Sequence, residues 1–202
     1  MIRAFHANGQ GLRATEAPDR DALTTALWVD LIEPEPAEAM TLAGLGLDVP
    51  SLEEMEEIEL SNRLYQENGV DYLTVVIPGQ NVADEQIAAP VTFILSATRL
   101  VTVRHHNPRP LATYPGRADK TGLGVSSPDH VFIGLVQEII GRLADHLEGV
   151  GRALDQVARM IYQPQVQTQD GLRRALAQIG AEGERLGRVR LALLTLGRAL
   201  NH

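Results

Sequence analysis

The stretch Leu45–Pro78, LGLDVPSLEEMEEIELSNRLYQENGVDYLTVVIP, joins a carboxylate-crowded segment directly to a pair of strands. Five glutamates (Glu53, Glu54, Glu56, Glu57 and Glu59) fall within seven positions. Ser51 stands three residues before Glu54, the spacing of a capping box, so a helix is predicted to start here. On such a helix Glu53 shares a face with Glu56 and Glu57, and like charges so placed repel by a few tenths of a kcal/mol per pair. Two readings stay open. One is a solvated acidic helix whose early acids favour the N-terminal dipole; the other is a site for a hard divalent cation, which takes several carboxylate oxygens. Glu67-Asn68-Gly69 then marks a hairpin turn, since Asn-Gly accepts the left-handed backbone that a two-residue turn requires. Tyr72 to Ile77 continues it as a strand.

Upstream and downstream the same strand-like pattern recurs. Apolar residues alternate or run in short blocks at Leu27-Trp28-Val29, Val91-Phe93-Leu95 and Leu100-Val101-Val103. A hairpin is predicted from Pro90 to His105, turning near Ala97-Thr98-Arg99. Asn8-Gly9 predicts another turn, between strands near Arg3 and Leu12. Pro34-Glu35-Pro36 opens a helix over Ala37 to Leu45 that ends at Gly44 or Gly46. A short helix is expected from Pro108 to Gly116, then a loop from Arg117 to Ser127.

From Ser126 the period becomes helical. Ser126 to Asp129 has capping-box spacing with Pro128 in the first turn. Apolar residues follow from Phe132 through Leu135, Ile139, Leu143, Leu147, Val150, Leu154 and Val157 to Ile161, a stripe over roughly nine turns. Gln163-Pro164-Gln165 is expected to break it. A second helix runs from about Thr168 to the end, with Leu172, Ile179, Leu186, Leu193 and Leu200 spaced by sevens. Gly180, Gly183, Gly187 and Gly197 each cost about 1 kcal/mol relative to Ala inside a helix, so a closely approaching neighbour helix is expected to compensate them. The fold class is therefore α/β: a mixed sheet flanked by helices over residues 1–125, then a long antiparallel helical hairpin over 126–202. Glu138 with Arg142, Glu148 with Arg152 and Asp155 with Arg159 read as solvated pairs on its outer face.

Composition limits the function. The formal charge of −8 disfavours nucleic acid, which requires clustered Lys and Arg. Absence of cysteine excludes disulfides, thiolate zinc sites and cysteine nucleophiles. No segment approaches the roughly 18 consecutive apolar residues of a membrane span, so the chain as given is expected to be soluble. There is no G-x-S-x-G, no phosphate-cradling G-x-x-x-x-G-K-[ST] and no G-x-G-x-x-G, so no enzyme is predicted. Asp30 is a single carboxylate without an evident partner. His105-His106 end a strand, His130 and His146 lie more than about four turns apart on one helix, and no metal-binding spacing occurs among the histidines.

Trp28-Val29-Asp30-Leu31 with Pro34, then Leu52-Glu53-Glu54, Arg63, the Tyr72 to Ile77 strand and Leu100 to Arg104 form an ordered series. Taken together, the series resembles the cytoplasmic N-terminal domain of CorA-type magnesium and divalent cation transporters, with a ZntB-like zinc subgroup also within reach. That resemblance implies an α/β/α sandwich followed by two long helices. It implies a regulatory, ion-sensing role in gating, with magnesium or another divalent cation held at Glu53 and Glu54 where neighbouring protomers of a pentamer meet. A homo-oligomer is implied, attached to the membrane through C-terminal helices that this chain lacks, on the cytoplasmic face of the inner membrane. The same resemblance implies an incomplete ligand set, because a further family aspartate falls near Gly141 or Arg142 and a partner carboxylate lies on the missing pore-lining helix. Many relatives also carry acids where the last helix has Arg173, Arg174, Arg185, Arg188, Arg190 and Arg198. The amphipathic helix still running at Leu200-Asn201-His202 predicts a portion of a longer transporter. The alternative is a stand-alone interaction domain of the same fold without transport.

Overall fold

A computed structural model describes residues 1–57, 59, 63–120, 122–161 and 168–202. The first strands, β1 (Ile2–Asn8) and β2 (Gly11–Glu16), form a hairpin whose turn places Gly9 at φ +61°. After α1 (Arg20–Thr25) comes β3 (Trp28–Ile32), then α2 (Pro36–Ala43) and α3 (Leu52–Glu56). Strands β4 (Leu64–Glu67) and β5 (Val70–Gln80) turn through Asn68 and Gly69, both left-handed, as the Asn-Gly pair predicts. Strands β6 (Gln86–Leu95) and β7 (Leu100–Arg104) complete a seven-stranded sheet of order β2-β1-β3-β7-β6-β5-β4. Among the described residues only the β3–β7 pair is parallel, so the sheet is mixed as expected.

Period-two alternation sorts the core into two layers. Trp28, Leu73, Val75, Ile77, Val91, Phe93 and Leu100 point to one face, under the long helices. Val29, Leu31, Tyr72, Ile94, Val101 and Val103 point to the other, under α1 to α3. Both faces are covered, which explains why the strands read as short apolar runs rather than strict alternation. The helix α1 was not foreseen, being too short for periodicity to show; its signal is Asp19, whose Oδ1 accepts from the Ala22 N–H at 2.8 Å.

A short α4 (Arg109–Thr113) and two 3₁₀ turns, Tyr114–Gly116 and Ala118–Lys120, lead into α5 (Pro128–Ile161); α6 (Gln169–Ala199) returns along it. The N-terminal cap of α5 is Ser127 rather than Ser126. Pro128 occupies the first helical position, so the residue before it caps, and Ser127 Oγ accepts from the His130 N–H at 3.3 Å. The helix α6 starts at Thr168 as expected, and that residue caps it, its Oγ1 accepting from the Gly171 N–H at 3.2 Å. The break expected at Gln163-Pro164-Gln165 lies outside the described residues. The helix α6 extends to Ala199, Leu200 keeps helical dihedrals with its N–H on the Leu196 carbonyl at 3.0 Å, and Asn201 Nδ2 donates to the Gly197 carbonyl at 2.6 Å.

The hairpin is seated at one end and open along the rest. Val131, Leu135, Val136 and Ile139 of α5, with Val189, Ala192, Leu196 and Ala199 of α6, share the core with the sheet. Thr195 fixes α6 to the sheet. The Thr74 N–H faces the β4 side and donates to Arg63; the Val76 N–H, two residues on and facing the same way, donates to Thr195 Oγ1 at 3.0 Å. The seven-spaced residues of α6, Leu172 to Leu200, are not its buried seam. They stay 41–49% exposed, and the buried positions include Ala175, Val189, Ala192, Leu196 and Ala199. Nor are the glycines of α6 explained by a close neighbour: a Cβ at Gly180, Gly183, Gly187 or Gly197 meets nothing within 4 Å.

Candidate functional site

The acidic helix is shorter than its glutamate run. Ser51 caps it as predicted: the Glu54 N–H donates to Ser51 Oγ at 3.3 Å, and Glu54 Oε2 accepts from the Ser51 N–H at 2.7 Å and Oγ at 2.8 Å. The helix ends at Glu56, and Glu57 leaves it with an extended backbone. Arg63 stabilises this end, its Nε donating to the Glu57 carbonyl and Nη2 to the Glu56 carbonyl at 3.2 Å. Met55 is buried and pins the turn to the sheet.

Between α3 and the sheet lies a cavity of about 340 Å³ lined by Asp48, Pro50, Glu54, Glu57, Tyr65, Thr74 and Thr92. Thr74 and Thr92 hydroxyls hydrogen-bond to each other at 2.8 Å on the buried sheet face. The Tyr65 phenol is pushed up to about 12, first by burial and then by Tyr72, Asp48, Glu67 and Glu54. The field here thus disfavours additional negative charge. Of the two predicted ligands, Glu54 lines the cavity, while Glu53 is exposed and is not among the lining residues. Asp48 was overlooked in the sequence; its position just before Pro50 and the cap was the available signal. Among the described residues no group of three or more His, Asp or Glu is close enough to hold a metal ion.

The Trp28-Val29-Asp30-Leu31 motif has a structural explanation. Asp30 is fully buried and, contrary to the sequence reading, partnered: Arg104 Nη2 donates to Oδ2 at 2.9 Å and Thr102 Oγ1 to Oδ1 at 2.7 Å. Trp28 Nε1 donates to the same Thr102 hydroxyl at 3.0 Å. Arg104 is satisfied further by the His106 carbonyl and Asn107 Oδ1, at 2.9 and 3.2 Å. Because residues two apart on β3 face the same way, Trp and Asp together tie β3 to its parallel neighbour β7. Partners 72 and 74 residues away in sequence left no local signal.

This ordered set of elements has counterparts among known proteins. Residues 24–202 match the family described as CorA-like Mg2+ transporter protein. The chain belongs to that family. The magnesium transport protein CorA of Yersinia pseudotuberculosis is 29% identical over 203 residues, covering all of this chain and 63% of that protein. The chain therefore spans less than two thirds of the length of that relative. The soluble domain of CorA from Methanocaldococcus jannaschii superposes with a TM-score of 0.60 at 9% identity, over all of this chain and 95% of that one. The ZntB cytoplasmic domain from Vibrio parahaemolyticus gives 0.56 at 13% identity, over 98% and 88%. These likenesses carry the fold: the mixed sheet and the two long helices of a CorA-like soluble domain. Among the described residues no helix is long and apolar enough to cross a membrane.

Proposed function

We propose that this chain is the cytoplasmic, ion-sensing part of a CorA-type divalent cation transporter, with magnesium the ion and a homopentamer its working assembly. The membrane attachment belongs to helices outside this chain. The observation that carries the reading is the cavity beside α3, where Asp48, Glu54 and Glu57 line one space next to a tyrosine whose ionisation is suppressed. Both cap bonds of Glu54 end on Oε2, so Oε1 has no hydrogen bond among the described residues and can bind a cation without undoing the helix start. Glu53, exposed on the first turn, supplies a second carboxylate from the outer side, where a neighbouring protomer would complete the shell. A hard cation suits such oxygens, and sites with few charged ligands bind at roughly 10⁻⁴–10⁻³ M. Because α3 is held to the sheet by Met55 and Arg63, occupancy there is transmitted to the strands on which the long helices sit.

Titration with magnesium followed through the backbone amide resonances tests this. Saturable shifts confined to residues 48–57, lost in the E53Q/E54Q double variant, are expected. Gln at position 54 preserves the capping box, so loss of the shifts reports the missing charges. Shifts unchanged in the double variant would remove the cation from these glutamates.

A further inference from the structure

The face of the molecule opposite in character to the acidic cavity lies between α4 and α5. There a cleft of about 420 Å³ is lined by Arg109, Thr113, Arg117, Glu138, Gly141 and Arg142, among others. A smaller adjoining cavity of about 160 Å³ shares Arg109 and Arg142 and reaches His146. Three guanidiniums thus converge in a chain whose net charge is −8. The two acids on the cleft do not balance them equally. Glu138, expected to pair with Arg142, turns instead to α4 and the segment after it: its Oε1 accepts from Arg117 Nη1 at 2.9 Å and from Thr113 Oγ1 at 3.0 Å. Arg142 is left with Asp145 at 3.8 Å, a long contact to a mostly exposed carboxylate. Arg109 has no side-chain hydrogen bond or ion pair among the described residues. Gly141 adds no side chain between them, and a Cβ there would meet nothing within 4 Å.

We propose that this cleft is an anion site that takes a phosphate group between Arg109 and Arg142, with Arg117 held at its rim by Glu138. Guanidinium groups match phosphate geometry through paired N–H donors, and two of them from different elements set a fixed gap. The surroundings agree. His146, at the far end, is held below its ordinary pKa by burial and then by Arg142 and Arg185, with Asp145 opposing and Arg188 adding to the effect, while Arg109 lines the same cavity from α4. Positive potential therefore extends from α4 across α5 to α6. The site is separate from the α3 glutamates and does not depend on the cation reading.

Calorimetric titration of the chain with inorganic phosphate, pyrophosphate and adenosine 5′-diphosphate, at ionic strength matched with chloride, tests the proposal. Saturable binding is expected, weakened roughly tenfold or more by R109Q or by R142Q, as loss of a charged hydrogen bond implies, and unaffected by R152Q farther along α5. Arg109 is exposed and Arg142 half-buried at the surface of α5, and neither belongs to the apolar core, so the fold is retained. The His146 imidazole should titrate at higher pH with phosphate bound, since the anion offsets the neighbouring arginines. Tighter binding of the nucleotide than of pyrophosphate identifies a nucleotide as the source of the phosphate; equal binding identifies the phosphate group alone. Absence of saturable binding, or equal affinity in R109Q and R142Q, overturns the assignment.

Discussion

The helical hairpin is two different structures at its two ends. Where α5 and α6 cross the sheet, successive turns of α5 are buried, Gly134 is pressed against Tyr114, and Thr195 completes the hydrogen bonding of β5. Farther out the buried residues thin to Val150, Val157 and Ala175, while Leu147, Leu154, Leu172, Ile179 and Leu186 remain about two-fifths exposed. The seat is close-packed and built on polar bonds that only the folded sheet can satisfy; the arm is a bare two-helix pair. Stability should therefore concentrate in the seat, and substitutions of the same kind should act differently in the two places.

The largest effect is expected beneath the seat. Asp30→Ala removes the carboxylate from a buried Arg104 that is about 2% exposed, leaving an uncompensated charge, a loss of about 3–5 kcal/mol in urea unfolding. Replacing Arg104 by Met in the same chain should recover most of that loss, because the pair as a whole contributes less than its separation costs. The arm counterpart, Glu148→Ala, breaks the exposed pair with Arg152 at 3.3 Å and should cost less than about 1 kcal/mol. Similar losses at both sites would erase the distinction between seat and arm.

A second effect depends on pH. His106 is buried, with Nε2–H donating to the Ile77 carbonyl at 2.9 Å and Nδ1 without a hydrogen bond among the described residues. Burial lowers its pKa to about 4, with Arg104 and His105 adding to the decrease and the Ile77 bond opposing it. Between about pH 6.5 and pH 4 the unfolded chain binds a proton that the folded chain does not. Stability is therefore full above pH 6.5 and falls as the pH drops towards 4, by up to roughly 3 kcal/mol. Unfolding measured at pH 7 and pH 4.5 should show this slope, and His106→Gln should flatten it. An unchanged slope in the variant would assign the acid sensitivity elsewhere.

What could be read in the sequence was local. Asn8-Gly9 and Asn68-Gly69 placed two hairpins because their turns demand left-handed backbone; Ser51 placed a helix start because capping is settled within four residues. The Asp30–Arg104 pair was invisible because it is made by two strands brought together only by the sheet. The α6 seam was misread for another reason. Seven-spaced large apolar residues look like a core, yet the buried face is made mostly of the smaller Ala175, Val189, Ala192 and Ala199, overshadowed in the sequence by larger neighbours. At the acidic site Glu53 and Glu54 stood out by density, whereas Asp48 joins the cavity only through the fold. The basic cleft was hidden in the same way, since Arg109 and Arg142 lie on separate helices.

The smallest effect is also the most discriminating, because its sign differs between the two regions. A Cβ on Gly134 would sit 2.3 Å from Tyr114 Oη and 2.7 Å from its ring, and that ring is buried against Trp28. Gly134→Ala should therefore destabilise by about 1–3 kcal/mol, the usual cost of overpacking, in spite of the better helix propensity of alanine. At Gly151, Gly183 and Gly187 the same change meets open space and retains only the propensity gain, so each should stabilise by up to about 1 kcal/mol. Urea midpoints of the four single variants suffice, one shifting down and three up. A downward shift at the arm positions would place another backbone within van der Waals range of this face, and the arm would then have to be regarded as packed rather than open.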